Sequence, residues 1–319
     1  MEIPGLYPPI EPFRSGMLGV DALHSLYWEE SGNPDGVPIV FLHGGPGGAG
    51  GPAVRRFYDP AHYRIIVFHQ RGAGQSTPLG EVQQNTTVHL IGDMEQLRLH
   101  LSVERWIVAG GSWGSTLALA YAQMWPGRVV ALLVNGVFLG RRIDIEWFLQ
   151  AARDFFPEDW DRFVEHLPIA ERTDLLAGYH ARIFNEDADV AEPAVKAWAA
   201  YEGSLAALRK DPAVLGQFLD PGFALAYSRM NLHYFTNDCF LNGRPILENM
   251  QSLSRIPGIV VHGRYDLATP YRSAVRLVQD WPAARLVTVE AAGHTRYEAA
   301  IAAALVEASD SLRSVEVRA

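Results

Sequence analysis

The sequence predicts an α/β fold: a mostly parallel sheet covered by helices on both faces, interrupted by a helical insertion. Three observations carry that expectation. Strand and helix patterns alternate from about Leu18 to Phe138, only helical patterns occupy the stretch from Gly140 to Asn242, and alternation resumes from about Pro245. The expected organisation is a core built from residues 1–139 and 245–319, with a helical cap at 140–244.

Apolar runs near Leu26–Glu30, Pro38–His43, Arg64–Phe68, Arg105–Ala109 and Val129–Val134 read as strands. Their continuous apolar character suits strands buried on both faces. Thr87–Leu101 is a helix pattern, with Leu90, Ile91, Met94, Leu97 and Leu101 on one stripe. Ser115–Gln123 is a second helix. In the insertion, helical segments are expected at Asp144–Phe155, Asp159–Leu167, Ala170–Ile183, Pro193–Arg209 and Phe223–Tyr234. Gly258–Gly263 and Ala284–Glu290 read as the last strands, and Tyr297–Leu312 as the last helix.

The most informative motif is Gly110-Gly111-Ser112-Trp113-Gly114. It lies between a strand and a helix, where G-x-S-x-G forms a tight turn that lifts the serine hydroxyl above the sheet. Small flanking residues avoid collisions in such a turn. A serine hydroxyl is a weak nucleophile and needs a base, which in turn needs an orienting acid. Asp266 follows the Gly258–Gly263 strand directly, and His294 lies in the loop after Ala284–Glu290, so both sit past the carboxyl ends of strands. In this order Ser112 attacks a carbonyl, His294 transfers the proton and Asp266 orients the imidazole. The alternatives for each residue are an incidental loop serine, a helix-capping aspartate and an ordinary loop histidine. The backbone N–H groups of Trp113 and Gly45, the latter in Gly44-Gly45-Pro46-Gly47-Gly48, are the expected oxyanion donors.

The 319 residues carry a formal charge of −9 and a pI near 5.7, which argues against nucleic acid or an anionic membrane as partner. No apolar run is long enough to span a bilayer, and the amino-terminal stretch has no signal-like core. Cys239 is the single cysteine, which fits a reducing, cytoplasmic setting. Metal-ligand spacings and a dinucleotide fingerprint are lacking, so neither metal nor cofactor is expected. The oligomeric state is not legible.

Together, His43-Gly44-Gly45-Pro46-Gly47-Gly48, the block from Gly110 to Gln123, His262-Gly263-Arg264-Tyr265-Asp266 and Gly293-His294 resemble the prolyl aminopeptidase (proline iminopeptidase) family of α/β-hydrolases. The resemblance covers nearly the whole chain. It implies a serine hydrolase that releases an N-terminal residue, such as proline or alanine, from a small peptide or an aminoacyl amide. Specialised relatives remove an aminoacyl group from a natural-product intermediate. An esterase, lactonase or amidase without free-amine recognition is the alternative on the same triad.

The resemblance also implies that Glu202 binds the substrate's amino group, and that Phe138, Phe148 and Phe235 form an apolar pocket. This chain departs from the family pattern at four positions. Asn231 stands where a second amine-binding glutamate is expected, Asn135 where an arginine is, His69 where an aspartate is, and Ala268 where a cysteine is. Asn231 and Asn135 are therefore expected to belong to a rebuilt substrate pocket.

Overall fold

The computed structural model describes residues 3–315. Eight strands form one sheet: β1 (Arg14–Gly19), β2 (Ser25–Gly32), β3 (Val37–Leu42), β4 (Tyr63–Phe68), β5 (Trp106–Ser112), β6 (Val129–Val137), β7 (Gly258–Gly263) and β8 (Ala284–Val289). Their order across the sheet is β1-β2-β4-β3-β5-β6-β7-β8. The β1/β2 and β2/β4 pairs are antiparallel, and every pair from β3 onward is parallel.

The central strands alternate between two buried faces, as the period of two demands. Val40, Leu42, Val108, Leu132, Val134 and Val260 point into one core. Ile39, Phe41, Ile107, Ala109, Leu133 and Val261 point into the other. Helices α1 (Thr87–His100) and α2 (Trp113–Met124) pack on the first face.

Between β6 and β7 the chain is helical among the described residues: α3 (Arg142–Gln150), α4 (Ala152–Phe155), α5 (Pro157–Glu165), α6 (Leu175–Ile183), α7 (Ala188–Leu205), α8 (Pro212–Phe218) and α9 (Pro221–Thr236). Helix α10 (Tyr271–Gln279) then packs on the first face, and α11 (Ala299–Ser311) closes the second. No helix among the described residues is long and apolar enough to cross a membrane.

Some elements differ from the sequence expectation for physical reasons. Strand β1 is a half-exposed edge with two glycines and no apolar run to announce it. Helix α7 begins at Ala188 and carries Pro193 inside it, because the Asp187 side chain caps the start through the Asp189 N–H at 3.0 Å. The Asp144–Phe155 segment is split into α3 and α4, and Ala170–Ile183 is helical in α6 only from Leu175.

Candidate active site

Strand β5 delivers Ser112 to the sheet's carboxyl edge, where the chain turns sharply into α2. Ser112 adopts φ 56°, ψ −126°, a conformation costly for a residue with a Cβ. The neighbouring glycines are dictated by contact. A Cβ on Gly110 would lie 2.3 Å from the Gly114 carbonyl oxygen, and one on Gly114 would lie 2.1 Å from that of Leu42. The Ser115 hydroxyl locks the turn, donating to the Ser112 carbonyl (2.6 Å) and accepting the Phe138 N–H (3.1 Å).

Asp266 and His294 are brought together by the ends of β7 and β8. His294 Nδ1 lies 2.7 Å from Asp266 Oδ2. Asp266 also accepts the backbone N–H of Thr269 (2.7 Å) and its hydroxyl (2.9 Å). His262 Nδ1 accepts the Val137 N–H at 3.0 Å, so its Nε2 carries the proton, 3.0 Å from the Thr269 carbonyl and 3.5 Å from Asp266 Oδ2. Burial works against ionisation of Asp266, yet His294 and these donors hold its carboxyl below the usual range. Burial likewise opposes an imidazolium at His294, but Asp266, reinforced by Glu202 and Glu298, holds its pKa above the ordinary value. An Nδ1–H committed to Asp266 leaves Nε2 as the free basic atom.

The His294 loop is tied to the helical segment as well. Glu298 accepts the N–H groups of Gly293 (3.0 Å) and Leu208 (2.9 Å), and Thr295 N–H donates to the Ala206 carbonyl at 2.7 Å. These bonds anchor the end of α7 beside the histidine, one turn from Glu202.

Across the elbow, the loop after β3 touches the serine: a Cβ on Gly44 would sit 3.1 Å from Ser112 Cβ. His43 holds this loop. Its Nε2 accepts the Gln70 N–H (2.9 Å), so its Nδ1–H donates to the Gly44 carbonyl (3.0 Å). Burial pushes the His43 imidazole down to about 3, which keeps it neutral. The Gln70 side chain then joins the His43 carbonyl (3.0 Å) to the Trp113 indole N–H (2.9 Å), linking the two stretches expected to supply oxyanion donors. His69 also has a structural account. Its Nδ1 accepts the Gln75 N–H (2.8 Å) and its Nε2 faces the Gly50 carbonyl (3.1 Å), a donor role that an ionised aspartate lacks.

Ser112, Gly45, Thr269 and Glu202 line one small cavity together with Phe138, Phe148, Phe235 and Ala268. The Phe235 ring lies 5.7 Å from those of both Phe138 and Phe148. Tyr227, on α9, donates its hydroxyl to Glu202 Oε1, while the buried Oε2 makes no hydrogen bond of ordinary length, the Trp198 indole N–H being the further donor that acts on this carboxyl. Burial pushes the Glu202 carboxyl up to about 7 despite the Tyr227 bond and the nearby His294.

Two expected pocket residues lie elsewhere. Asn135 points away from the cavity into the second core, where its Oδ1 accepts from Arg296 at 2.6 Å and it lies among Phe57, Tyr58 and Leu133. Arg296, from the His294 loop, thus places a guanidinium beside Asn135, 4.3 Å from the centre of the Phe41 ring. Asn231 is fully buried and is not among the cavity-lining residues; its Nδ2 bonds two backbone carbonyls, its Oδ1 has no hydrogen-bond partner, and its side chain also acts on the Tyr227 hydroxyl. Neither amide is among the residues that line this cavity. An Arg296→Met substitution should lower folding stability by about 1–3 kcal/mol, because it leaves the buried Asn135 acceptor unpaired. Urea unfolding monitored by tryptophan fluorescence will measure the change.

This sheet, with its serine elbow and His–Asp pair at the carboxyl edge, has the architecture of an α/β-hydrolase. Residues 37–298 match the family model described as the alpha/beta hydrolase fold. The chain is 47% identical over 307 residues to a probable proline iminopeptidase of Leptolyngbya boryana, covering 96% of each chain. It is 45% identical to the proline iminopeptidase of Xylella fastidiosa (96% of this chain, 98% of that one) and 44% identical to that of Arabidopsis thaliana (97% and 82%). Among solved structures, a proline iminopeptidase of Mycobacterium smegmatis superposes with a TM-score of 0.57 at 18% identity, covering 93% of this chain and 99% of that one. The esterase RhEst1 from Rhodococcus superposes with a TM-score of 0.64 at 19% identity, covering 95% and 99%. These structural likenesses speak for the fold alone. By its sequence, the chain belongs to the proline iminopeptidase family.

Proposed function

We propose that the protein is a serine aminopeptidase. It releases an N-terminal residue such as proline or alanine from a small peptide or aminoacyl amide through an acyl-enzyme. One observation carries the reading: Glu202, whose buried Oε2 is faced by the neutral Trp198 indole N–H and by no cation, lines the same cavity as the elbow serine. A buried acceptor of this kind calls for a cationic donor, and a substrate's free ammonium supplies one.

In this mechanism Ser112 Oγ attacks the carbonyl carbon of the N-terminal residue, and its proton passes to His294 Nε2. Asp266 stabilises the imidazolium. The N–H groups of Gly45 and Trp113 receive the tetrahedral oxyanion, each worth about 3 kcal/mol in the transition state. His294 then protonates the departing amine, and water, deprotonated by the same histidine, cleaves the ester. Phe138, Phe148 and Phe235 enclose the side chain of the released residue, and the 140–244 helical segment serves as a cap that excludes water. The leaving amine extends in this reading to a natural-product intermediate. A cytoplasmic setting fits the single buried thiol, Cys239.

Proline p-nitroanilide compared with its N-acetyl derivative tests amine recognition. The free amine should be hydrolysed at least about 100-fold faster in kcat/KM, reflecting one buried charge pair. Equal rates would remove the role of Glu202, and fast turnover of simple p-nitrophenyl esters with no aminoacyl activity would select the esterase alternative.

A further inference from the structure

Asn231 lies outside the cavity, yet its amide makes a short bond across the elements: Nδ2–H donates to the Pro46 carbonyl at 2.6 Å and also to the Tyr227 carbonyl at 3.1 Å. Tyr227 and Asn231 stand four residues apart and share one face of α9. That face packs tightly on the glycine loop, since a Cβ on Gly47 would meet Met230 Cβ at 2.7 Å.

The loop's peptide planes are held one by one. The Gly44 carbonyl and the Gly45 N–H belong to the same planar unit. Bonds to the Gly44 oxygen from Gly48 N–H (3.1 Å) and His43 (3.0 Å) hold the carbonyl end of this plane from within the loop. The Pro46 carbonyl belongs to the plane that follows Pro46. Proline has no N–H of its own, and this plane is held by Asn231 from outside the loop.

We propose that Asn231 is a positioning residue for the reaction: by holding Pro46 it keeps the Gly45 N–H aimed at the developing oxyanion. Tyr227, on the same helix face, holds Glu202. Helix α9 is then the strut that sets the separation between the carboxylate that takes the amine and the donor that takes the oxyanion. Amine and carbonyl of a single N-terminal residue must span that separation. The inference rests on the aminopeptidase reading and its assignment of Gly45 as an oxyanion donor.

Asn231→Leu keeps the side chain's approximate shape and removes the donor. Its kcat on proline p-nitroanilide should fall about 30- to 100-fold, the scale of a misplaced oxyanion donor, with KM within about threefold of the parent. A prolyl boronic acid places an oxygen in the oxyanion position when it bonds to Ser112. Its affinity should fall by the same factor as kcat/KM, while inhibition by free proline stays unchanged.

Asn231→Ser, too short to reach Pro46, should give the same split and serves where the leucine variant does not fold. Unchanged kcat in either folded variant overturns the proposal. So does a rise in KM of more than about tenfold at constant kcat, which would make Asn231 a direct substrate contact. Failure of the underlying reading shows elsewhere: the parent enzyme would release no amino acid from these anilides, or Ser112→Ala would keep full activity.

Discussion

Ser112→Ala will reduce kcat/KM for aminoacyl anilides by about 10⁴- to 10⁶-fold, the loss expected when the nucleophile of a cooperating triad is removed. The size follows from chemistry rather than from binding. Alanine leaves the cavity wall, Glu202 and the aromatic rings in place, so substrate should still bind while the acyl-enzyme cannot form. The fold should survive the change. The turn's positive φ is imposed by Gly110 packing against Gly114, by Gly114 packing against the end of β3 and by the Ser115 hydroxyl, none of which is altered. Stopped-flow kinetics on the parent should show a burst of p-nitroaniline if deacylation is slow, and intact-mass analysis should show one fluorophosphonate adduct, located at Ser112. A folded alanine variant retaining more than about one per cent of parental activity would refute serine catalysis outright.

How far the sequence foretold this site depends on how local the signal is. Ser112 was readable because its signature lies within five consecutive residues, whose glycines stand where a Cβ would strike the backbone of the turn or of the neighbouring strand about 2 Å away. Asp266 and His294 were readable because each follows the end of an apolar strand pattern, and strand ends of a parallel sheet converge. Glu202 was legible only through family resemblance, since nothing in its helix distinguishes it from a solvated glutamate. Its partner Tyr227 carries no sequence signal, and neither do Thr269, which bonds Asp266, and Glu298, which holds the His294 loop.

The two misplaced asparagines show the opposite limit. Asn135 sits at the right height on β6, but a strand offers two faces. Only the packing of Arg296 beneath Gly111 shows which one its side chain takes. Asn231 occupies the expected turn of α9, yet its Nδ2 bonds the Pro46 carbonyl and it does not line the cavity. Sequence position fixed the element, and tertiary contact fixed the direction.

Glu202→Gln should lower kcat/KM for free-amine substrates by about 10²- to 10³-fold, the ~3–4 kcal/mol typical of removing one member of a buried charge pair. The same change should leave N-acetylated substrates nearly unaffected. The pH profile adds a second, independent signature. In the free enzyme the Glu202 carboxyl stands at about 7, raised by burial. Below that pH it is protonated and offers an ammonium no charge; above it the carboxylate is ready. His294 must also be neutral to act as base, and its own pKa is raised above the ordinary value. Both groups therefore depress kcat/KM on the acid side, and the limb should be steeper than one proton can produce. Glutamine removes one ionisation and withdraws a negative charge that favours the imidazolium of His294, so its pKa falls. The acid limb of the variant should become shallower and move to lower pH, while its plateau drops. A bound ammonium should in turn pull the parent's Glu202 down, so that substrate-analogue binding near pH 7 releases protons; calorimetry in buffers of different ionisation enthalpy will measure this. An acid limb unchanged in slope and position, with no proton release, would show that Glu202 does not meet the amine.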